Sequence, residues 1–349
     1  MVTNQQIAQS FSNENLELII LPTEKCNFRC TYCYEDFSIG KMKEPIIRAT
    51  EYLLQNRLKS LKSLSISWFG GEPLLALDIV LRINNFINNE ISKNNYEIDF
   101  KSSMTTNGYF LNLENAIKLF EANVKSYQIS LDGDKDFHNK TRIKANGTGT
   151  FDRIWNNLIQ IRESEMDIEI LLRLHINEDN YESCFDFIKK LKSELLFDSR
   201  FKLLIKAIGK YGGKNDHLIN PLSKEEEQEL ANYIFEHKVQ DENQNICYAS
   251  KPNSFVIRAD GNINKCTVAL NNPINNIGKL VGSGSMEINT DLAKLWSLGF
   301  FNNDKDYLEC PMSKIPELVK KADSQQAFGS MAGSVVKSSF VLLSKFVLS

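Results

Sequence analysis

The chain alternates between short apolar runs of β type and longer segments in which apolar residues recur at helical spacing. Runs of Leu, Ile, Val and aromatic residues, bounded by polar turns, are typical of buried strands. Six such strands are predicted before residue 210, at Leu16–Leu21, Leu64–Trp68, Phe100–Met104, Ser126–Leu131, Ile168–Ile176 and Phe201–Ala207. The segment between each strand and the next is long enough for a helix.

Helical spacing is clear between the predicted strands. In Pro45–Leu58 the residues Ile46, Ala49 and Leu53 follow one another at helical spacing, and the segments 151–161 and 181–191 repeat the pattern. Strands that alternate with helices imply right-handed crossovers and a parallel sheet. Because these units are too few for a closed eight-stranded barrel, the predicted fold class is α/β, a partial (βα)6 barrel of TIM type. Active sites of such barrels lie at the carboxyl ends of the strands.

The pattern changes after about residue 220. Lys224–His237 is predicted as a charged helix, and Val239–Asn245 as a polar linker. Two β-like runs follow around Asn253–Arg258, with turns at 260–261 and 276–278. Residues 319–349 are predicted as a low-complexity tail that ends in an apolar stretch too short to span a bilayer. The sequence therefore predicts a smaller C-terminal region after the barrel.

Composition narrows the classes of function. The 349 residues include 41 basic and 44 acidic side chains, which gives a formal net charge of −3. This balance argues against a nucleic-acid-binding protein, whose domain would be strongly basic. The sequence has no apolar run long enough for a membrane span, and its first residues lack the basic and apolar stretches of a secretory signal. A cytoplasmic protein with no nucleic-acid or membrane partner is therefore predicted.

The cysteines point to metal ligation. There are seven of them, and an odd number in a cytoplasmic chain does not suit a disulfide framework. Cys26, Cys30 and Cys33 form a C-x3-C-x2-C loop directly after the first predicted strand. Zinc sites usually add a distant pair of ligands, and ferredoxin clusters use four thiolates. Three thiolates would leave one iron of a [4Fe–4S] cluster open to a small molecule, with zinc-binding or incidental cysteines as the alternative.

This loop, with Tyr32 before its last cysteine, resembles the signature of radical S-adenosylmethionine (SAM) enzymes. The segment Trp68–Pro73 resembles the family's GGEP motif after the second strand. Thr106–Gly108 and Ile129–Gly133 are similar to its motifs after the third strand and at the fourth. The motifs follow the family's order, each at a predicted strand end, and they define a predicted radical SAM core domain over residues 14–222.

The resemblance implies a partial (βα)6 barrel that binds one [4Fe–4S] cluster and SAM. In the family, the amino and carboxylate groups of SAM chelate the open iron. One electron, expected from a reducing partner such as flavodoxin or ferredoxin, cleaves SAM to methionine and a 5′-deoxyadenosyl radical that abstracts a hydrogen from the substrate. The cofactor carries this chemistry, while the protein positions the reactants and excludes side reactions.

The resemblance also implies particular contacts to SAM. Gly70, Gly71 and Glu72 would hold the methionyl amine, because glycines allow a close approach of the backbone and a carboxylate accepts hydrogen bonds from an ammonium group. A plain surface turn is the alternative for Glu72. Tyr32 and Asn107 are further candidate contacts to SAM.

Alternation along the fourth predicted strand adds candidates. Gln128, Ser130 and Asp132 share its polar face, so Ser130 and Asp132 are candidates for the ribose hydroxyls or the methionyl carboxylate of SAM. Arg142 matches a family arginine that can pair with this carboxylate through its guanidinium fork. An exposed, solvated arginine is the alternative interpretation of Arg142.

Other residues carry weaker expectations. His175 and Asn177, at the end of the fifth predicted strand, could contact SAM or substrate, although a structural histidine is an equally good interpretation. Tyr34 and Phe37 could flank the adenine or could simply pack beside the loop. Cys184 lies on the apolar stripe of its predicted helix and is expected in the core.

Cys247 and Cys266, with the segments 258–266 and 277–279, resemble the start of a SPASM domain, an extension that holds auxiliary iron–sulfur clusters. Such domains usually continue with several more cysteines, whereas only Cys310 follows in this sequence. Three cysteines could bind one auxiliary cluster, as in reduced "twitch" versions. Residues 240–318 are therefore predicted as a SPASM-like or twitch-like region. A degenerate domain, or a truncated or frame-shifted chain end, is the alternative.

The overall resemblance is to radical SAM/SPASM maturases of peptides and proteins. The first hypothesis is an enzyme that abstracts a hydrogen from a ribosomally synthesised peptide and forms a carbon–carbon or thioether crosslink. The second is an anaerobic sulfatase-maturating enzyme, which converts an active-site Cys or Ser to formylglycine. An iron–sulfur electron carrier and a zinc-binding module are hypotheses from other classes. A carrier would have no need of the motifs that bind SAM.

Overall fold

A computed structural model describes residues 4–210, 213–236 and 246–316 of the chain. Its strands are β1 (Asn15–Ile20), β2 (Ser63–Trp68), β3 (Asp99–Thr106), β4 (Val124–Leu131), β5 (Glu169–Ile176), β6 (Phe201–Ala207), β7 (Ser254–Ile257), β8 (Asn262–Asn264), β9 (Asn276–Leu280) and β10 (Met286–Ile288). Its α-helices are α1 (Asn4–Phe11), α2 (Glu44–Leu58), α3 (Leu77–Asn94), α4 (Leu113–Glu121), α5 (Lys135–Thr141), α6 (Phe151–Arg162), α7 (Tyr181–Glu194), α8 (Lys224–Glu236), α9 (Thr290–Trp296), α10 (Leu298–Asn302) and α11 (Lys305–Glu309).

Strands β1 to β6 lie side by side in chain order, and all the pairings between them are parallel. At least one helix lies between each of these strands and the next, so the predicted α/β fold of repeated strand–helix units is confirmed. The predicted strands and helices are all present, with ends that differ by a few residues. The predicted helix over Lys224–His237 is described as far as Glu236, and His237 lies outside the described residues.

The two faces of the parallel sheet differ in burial. In β2, Leu64, Ile66 and Trp68 are completely buried in the core shared with the helices. The alternate residues Ser65 and Ser67 are partly exposed on the opposite, inner face. Because successive side chains of a strand point to opposite faces, β3 and β5 show the same alternation. The helices therefore cover one face only, and the other face carries the polar side chains.

The C-terminal region extends the same sheet, which the sequence did not predict. β7 pairs in parallel with β1 through Leu18–Phe255 and Ile20–Ile257, and β8, β9 and β10 continue as antiparallel strands. The strand order is therefore β10-β9-β8-β7-β1-β2-β3-β4-β5-β6. The chain leaves the sheet at β6 and returns to its opposite side at β7. Local periodicity carries no signal for such a distant pairing.

Parts of the predicted organisation fall outside the described residues. These are the polar linker Val239–Asn245 and the tail predicted over 319–349. The domain boundaries 14–222 and 240–318 stay predictions. Among the helices in the described ranges, none combines the length and the apolar character that a membrane crossing needs.

Candidate cofactor site at the carboxyl ends of the strands

The cysteine loop that follows β1 is fixed by backbone hydrogen bonds to the end of α5 and the residues directly after it. The Arg29 amide donates to the Ile143 carbonyl at 2.8 Å, and the Thr31 amide donates to the Thr141 carbonyl at 2.9 Å. Phe28, which lies between the first two cysteines, is buried. The loop therefore has a defined shape at the carboxyl ends of the strands, where the sequence predicted the site.

The three thiols of this loop lie near one another. The Cys26 sulfur accepts a hydrogen bond from the Phe28 amide at 3.3 Å. Burial raises the pKa of Cys33 to about 12, and the neighbouring Cys30 thiolate contributes to the shift. Burial also raises the pKa values of Cys26 and Cys30. Neighbouring, partly buried thiols of this kind become thiolates when a positively charged metal centre binds them, so the donor set fits a [4Fe–4S] cluster.

The glycine pair after β2 packs against the chain just before Cys26. Gly70 has a φ of +112°, in the region that favours glycine. A Cβ on Gly71 would lie 2.5 Å from the Lys25 carbonyl oxygen. The close approach that these glycines permit is therefore to the segment Thr23–Lys25, and through it they position the cysteine loop. The predicted contact of Gly70 and Gly71 to SAM stays a prediction.

Glu72 is completely buried and joins the ends of β2 and β3. Its Oε1 accepts hydrogen bonds from the Leu74 amide at 3.0 Å and from the Thr106 hydroxyl at 2.7 Å. Its Oε2 accepts one from the Asn107 amide at 2.8 Å. Burial raises the pKa of this carboxyl group, and the donors act against the rise. Glu72 is therefore fixed beside the cysteine loop and is not part of a plain surface turn.

Asn107 links the end of β3 to the cysteine loop. Its side-chain amide donates to the Asn27 Oδ1 at 2.8 Å, and its nitrogen lies 3.9 Å from the Cys26 sulfur. Its own Oδ1 accepts from the Tyr109 amide at 2.9 Å. The structure thus brings Asn107, Glu72 and Cys26 together.

Asp132 directly follows β4 and is the centre of a buried polar cluster. The Tyr32 hydroxyl lies 2.8 Å from each of its carboxylate oxygens, and the Thr141 hydroxyl donates to Oδ2 at 2.7 Å. The Arg142 guanidinium donates to the Tyr32 hydroxyl at 2.6 Å and lies 3.8 Å from Asp132. Arg142 is buried and is not the exposed, solvated side chain of the alternative interpretation.

The charges within this polar cluster determine which of its side chains are ionised. Burial alone would raise the pKa of Asp132, but the Arg142 charge and a hydrogen bond from His175 hold it well below its usual range. His175 Nδ1 lies 3.2 Å from Asp132 Oδ1 and 3.3 Å from the Tyr32 hydroxyl. Burial, the largest influence, lowers the pKa of His175, although Asp132 opposes that shift. Asp132 is therefore a carboxylate held by protein donors, and its contact to SAM stays a prediction.

Ser130 differs from Asp132 in having a hydroxyl that is available. It lies on the inner face of β4, opposite Arg173 of β5 in the strand register. Among the described residues, no side chain or backbone group forms a hydrogen bond with the Ser130 hydroxyl. Of the predicted contacts to SAM on β4, Ser130 is the one that could bind a ligand without first losing a protein partner.

Two residues of the cluster were missed in the sequence. Thr141 donates to Asp132, and the Asn180 side-chain amide donates to the Asp132 carbonyl at 2.9 Å and to the His175 carbonyl at 3.0 Å. Thr141 immediately precedes Arg142, so its position beside a candidate residue was a usable signal. Asn180 comes from the turn before α7, and no local pattern connects it to β4.

The remaining predicted residues near the loop are also located. Phe37 has a φ of +56°, and the Arg29 guanidinium lies 4.6 Å from the centre of its ring. Tyr34 is among the residues whose pKa burial raises strongly, with Tyr248 and Cys266 among its neighbours. The role of Tyr34 and Phe37 at the adenine stays a prediction. Cys184 is completely buried in the core, as expected.

The second group of cysteines is assembled from three separate segments. Cys247 precedes a 3-10 turn, Cys266 follows β8, and Cys310 follows α11. The Cys247 amide donates to the Leu308 carbonyl at 2.8 Å, which joins the first and third segments. Burial raises the pKa of Cys247 to about 11, with smaller contributions from Cys266 and Cys310. The three thiols therefore lie near one another, and the auxiliary cluster stays a prediction.

Neither triad is arranged around a single ion. Within residues 4–210, 213–236 and 246–316, no three His, Cys, Asp or Glu side chains are placed to hold one metal ion. An iron–sulfur cluster is larger than an ion, and its ligands bind different iron atoms.

A strand–helix barrel edge with three cysteines and a GGEP segment defines a radical SAM domain. Residues 20–188 match the Radical SAM superfamily. The chain therefore contains a radical SAM domain. The cofactors of this family are a [4Fe–4S] cluster and SAM, as the resemblance implied.

Relatives and solved structures support this assignment. The chain is 30% identical over 188 residues to the cysteine-type anaerobic sulfatase-maturating enzyme of Clostridium novyi, which covers 51% of this chain and 49% of the relative. The chain thus spans about half the length of this relative.

Two solved structures share the fold. Native anSMEcpe with bound AdoMet and Kp18Cys peptide is similar with a TM-score of 0.63 and 19% identity, over 80% of this chain and 83% of that one. Streptococcus suis SuiB bound to precursor peptide SuiA is similar with a TM-score of 0.55 and 15% identity, over 84% and 67%. At these identities the likeness shows the fold alone.

Proposed function

We propose that the chain is a radical SAM enzyme that abstracts a hydrogen from a peptide and installs a carbon–carbon or thioether crosslink in a ribosomally synthesised peptide. The observation that carries the proposal is the close arrangement of the cysteine loop and Glu72. At the carboxyl edge of the parallel sheet, the Glu72 amide donates to the carbonyl of Lys25, next to Cys26, at 3.0 Å, and Asn107 both donates to the buried Glu72 carboxylate at 2.8 Å and lies 3.9 Å from the Cys26 sulfur. An iron–sulfur electron carrier would not need this carboxylate or the glycine pair beside it.

In this proposal Cys26, Cys30 and Cys33 hold the [4Fe–4S] cluster. When bound, the cluster and SAM supply a 5′-deoxyadenosyl radical. Gly71 and the fixed Glu72 place backbone and carboxylate acceptors toward the methionyl amine. The hydrogen bonds that Glu72 already accepts fix its orientation before a ligand arrives, which reduces the cost of ordering it on binding.

The remaining contacts come from β3, β4 and the segment after α5. Asn107 places an amide beside the cysteine loop, and Ser130 offers a hydroxyl without a protein partner. Tyr32, Asp132 and Arg142 orient one another, so the Arg142 guanidinium faces the cysteine loop. Its positive charge is balanced by the Asp132 carboxylate. A buried network of this kind holds its members in place, and the Arg142 Nε is left without a protein partner among the described residues.

A peptide substrate has support from the two similar structures, each of which contains a bound peptide. The open inner face of the sheet offers room for an extended segment beside the cofactor site. The crosslink would remove two hydrogens from the peptide, one as an atom and the other as a proton whose electron passes to an acceptor.

The C-terminal thiols of Cys247, Cys266 and Cys310 are proposed to hold one auxiliary iron–sulfur cluster as that acceptor. The partial burial of Cys247 and Cys266 and their mutual proximity fit such a group. A flavodoxin or ferredoxin is proposed as the reducing partner that supplies the first electron.

The test begins with anaerobic reconstitution of the full chain with iron and sulfide. A brown protein with broad absorption near 400 nm is expected, and addition of SAM and dithionite should give 5′-deoxyadenosine. A reconstituted protein that binds iron and SAM but forms no 5′-deoxyadenosine would overturn the proposal. The genes adjacent to this one provide the candidate substrate, either a short peptide or a sulfatase.

Anaerobic sulfatase maturation is the second candidate, because the relative in Clostridium novyi has that activity in its name. Mass spectrometry of the treated substrate separates the two. A crosslinked peptide loses two hydrogens and resists sequencing across the linked residues. A formylglycine product carries an aldehyde that reacts with a hydrazide, and a crosslinked peptide does not.

A further inference from the structure

The exposed side of the cysteine loop carries positive charges. Lys25, directly before Cys26, and Arg29, directly before Cys30, are both exposed. The Lys25 ammonium donates to the Phe37 carbonyl, and the Arg29 guanidinium lies 4.6 Å from the centre of the Phe37 ring. Because both cations contact the same residue, their charges lie close together at the loop that presents the thiols.

Two further cations belong to the segment that fixes this loop. Lys140 is exposed in α5, one residue before the Thr141 carbonyl that accepts from the Thr31 amide at 2.9 Å. Lys144 is partly exposed and is paired with Phe28 in an antiparallel bridge. The backbone contacts therefore hold both lysines beside the cysteine loop. The four cations are named the basic patch: Lys25, Arg29, Lys140 and Lys144.

The basic patch lacks ion-pair partners. Among the described residues, no carboxylate forms an ion pair with any of its four members. At α2 and α3, by contrast, Lys41 pairs with Asp78 at 2.7 Å, and Arg82 pairs with Glu44 at 2.7 Å and with Glu51 at 2.8 Å. The cations of the patch are therefore available to carboxylates of another molecule.

Two exposed carboxylates lie near the basic patch in the sequence. Asp36 accepts hydrogen bonds from the Ser38 amide at 2.9 Å and from the Asn271 side-chain amide at 3.0 Å. Asp136 lies one turn before Lys140 in α5, and the two do not form an ion pair. Four cations against two carboxylates leave an excess of positive charge here, although the formal net charge of the chain is −3.

The thiols beside the basic patch also reach the surface. Cys26, Cys30 and Cys33 are each partly exposed, so the proposed cluster would lie close to solvent next to the patch. Electron transfer becomes slower as the distance between donor and acceptor grows. A protein that reduces this cluster therefore has to approach the loop closely, and the basic patch is the surface that it meets there.

We propose that the basic patch is the docking surface for an acidic electron-carrier protein, a flavodoxin or a ferredoxin. The inference rests on the proposed function, which requires such a donor. Carboxylates of the carrier face the four cations, and complementary charges speed the encounter and fix the orientation of the two proteins. The carrier is oxidised by one electron, and the proposed cluster of the barrel is reduced by the same electron.

The first measurement is the affinity of the reconstituted, full-length protein for a purified, acidic bacterial flavodoxin. The patch variant is Lys25→Glu, Lys140→Glu, which reverses two exposed charges. Arg29 stays unchanged, because its guanidinium donates to the carbonyls of Cys26 and Phe28 and its loss would disturb the loop.

The matched control is Lys59→Glu, Lys93→Glu, which makes the same change in net charge. Both lysines are exposed at the carboxyl ends of α2 and α3. These helix ends lead into β2 and β3, so the control lies at the amino ends of the strands, away from the cysteine loop.

At about 0.01 M salt the patch variant should bind flavodoxin at least about tenfold more weakly than the parent, because steering by charge is lost. The control should bind as the parent does. Raising the salt to about 1 M shortens the Debye length from about 30 to about 3 Å and should remove most of the difference. Lys140→Glu alone, which does not alter the residue next to Cys26, should give an intermediate affinity.

The second measurement is crosslinking of the parent to flavodoxin with a carbodiimide, which joins an amine to a carboxylate without a spacer. Peptide mapping should place the links at Lys25, Lys140 or Lys144. The third is cleavage of SAM driven by reduced methyl viologen, a small cation that needs no docking surface. Its rate should be equal in the parent, the patch variant and the control.

The inference is overturned if the patch variant binds flavodoxin as tightly as the control, or if the links map outside the basic patch. It is also overturned if the parent binds neither flavodoxin nor an acidic ferredoxin. Slower cleavage with viologen but unchanged flavodoxin binding would mean that the patch acts on the cluster and not on a partner. Failure of the proposed function would instead appear as no 5′-deoxyadenosine from the parent with viologen, with the binding and crosslinking results still readable.

Discussion

The two cysteine triads of this chain are assembled in different ways. Cys26, Cys30 and Cys33 lie on one loop, whose backbone is fixed by the end of α5 and the residues directly after it. Cys247, Cys266 and Cys310 come from three segments spread over the C-terminal region, and they meet only because those segments pack together. The first triad is a local structure held by the barrel. The second is a product of tertiary folding.

This difference extends to what surrounds the thiols. The first triad has Glu72 and Asn107 directly beside it, each with several hydrogen bonds of its own. Beside the second, the Cys266 sulfur accepts from the Val268 amide at 3.4 Å, as Cys26 does from Phe28. The described residues place no buried carboxylate next to it. The barrel site is thus equipped for a ligand in addition to its proposed metal centre, and the C-terminal site for its proposed metal centre alone.

The largest expected effect is the loss of SAM cleavage, which should differ between variants of the two triads. Cys30→Ala should abolish formation of 5′-deoxyadenosine, because two thiolates cannot hold the cluster with its open iron. Cys266→Ala should reduce iron content and substrate conversion but leave measurable cleavage of SAM. Anaerobic assays with chromatographic detection of 5′-deoxyadenosine check both.

The control for this comparison is Cys184→Ala, because Cys184 is completely buried in the core and no thiol of either triad is among the groups that shift its pKa. It should keep cluster content and SAM cleavage, with only the modest loss of stability expected of a small cavity. Full activity in Cys30→Ala would refute the assignment of the first triad.

The next effect is on iron content. The triple variant of Cys26, Cys30 and Cys33 to alanine should retain about four iron atoms per chain if the C-terminal triad holds one [4Fe–4S] cluster. Adding Cys266→Ala to that variant should remove them. Iron analysis and electron paramagnetic resonance of the reduced proteins make the measurement. A triple variant without iron would mean that the C-terminal thiols hold no cluster, and the proposed electron acceptor would be wrong.

The third effect concerns the connection between the two regions. Arg258, directly after β7, donates to Glu24 at 2.6 Å, and both side chains are at least nine-tenths buried. Glu24 lies two residues before Cys26. Arg258→Met would leave the Glu24 carboxylate buried without its partner, at a cost of about 3–5 kcal/mol in the free energy of unfolding. Chemical denaturation of the reconstituted protein measures this cost.

The double variant Glu24→Met, Arg258→Met is the matched control. Because both charges are then absent, most of the lost stability should return. If the single variant is as stable as the parent, the pair does not connect the C-terminal region to the cysteine loop. If the double variant regains stability but not SAM cleavage, the Glu24–Arg258 pair also positions the cysteine loop.

Sequence patterns predicted the barrel more completely than the C-terminal region, for physical reasons. Strand and helix periodicity is local, and the motifs lie at strand ends, so β1 to β6 and the edge that carries Cys26, Glu72 and Asn107 could be located from the sequence. The pairing of β7 with β1 brings together residues more than 200 positions apart, between Leu18 and Phe255. Nothing in a short window records such a contact.

The candidate site shows the same limit at the level of side chains. Residue types and alternation located Ser130 and Asp132, but the partners of Asp132 are set by tertiary structure. Thr141 reaches it from the end of α5, and Asn180 from the turn before α7. Among the described residues, the Arg173 Nε is buried without a hydrogen-bond partner, and the sequence could not show this because it depends on how the neighbouring strands pack. Charge balance in a buried site is a property of the assembled sheet.

The smallest effect concerns the segment that fixes the cysteine loop of the barrel. His138, in α5, is completely buried, and burial lowers its pKa to about 4. In the unfolded chain the imidazole has its ordinary pKa, so between about pH 6.5 and 4 the unfolded state binds a proton that the native state does not. Stability therefore falls as the pH drops through this range, by about 2 kcal/mol at pH 5 from this group.

Denaturation of the parent and of His138→Gln at pH 7 and pH 5 measures this contribution. The variant starts less stable, because the histidine contacts to Thr150 and Asp132 are lost, but it should lose about 2 kcal/mol less between the two pH values. His217→Gln is the matched control, since it makes the same substitution at an exposed histidine. If the pH dependence of stability is unchanged in His138→Gln, another group is responsible for the loss of stability in acid. His138 would then not be the group that makes the barrel sensitive to pH.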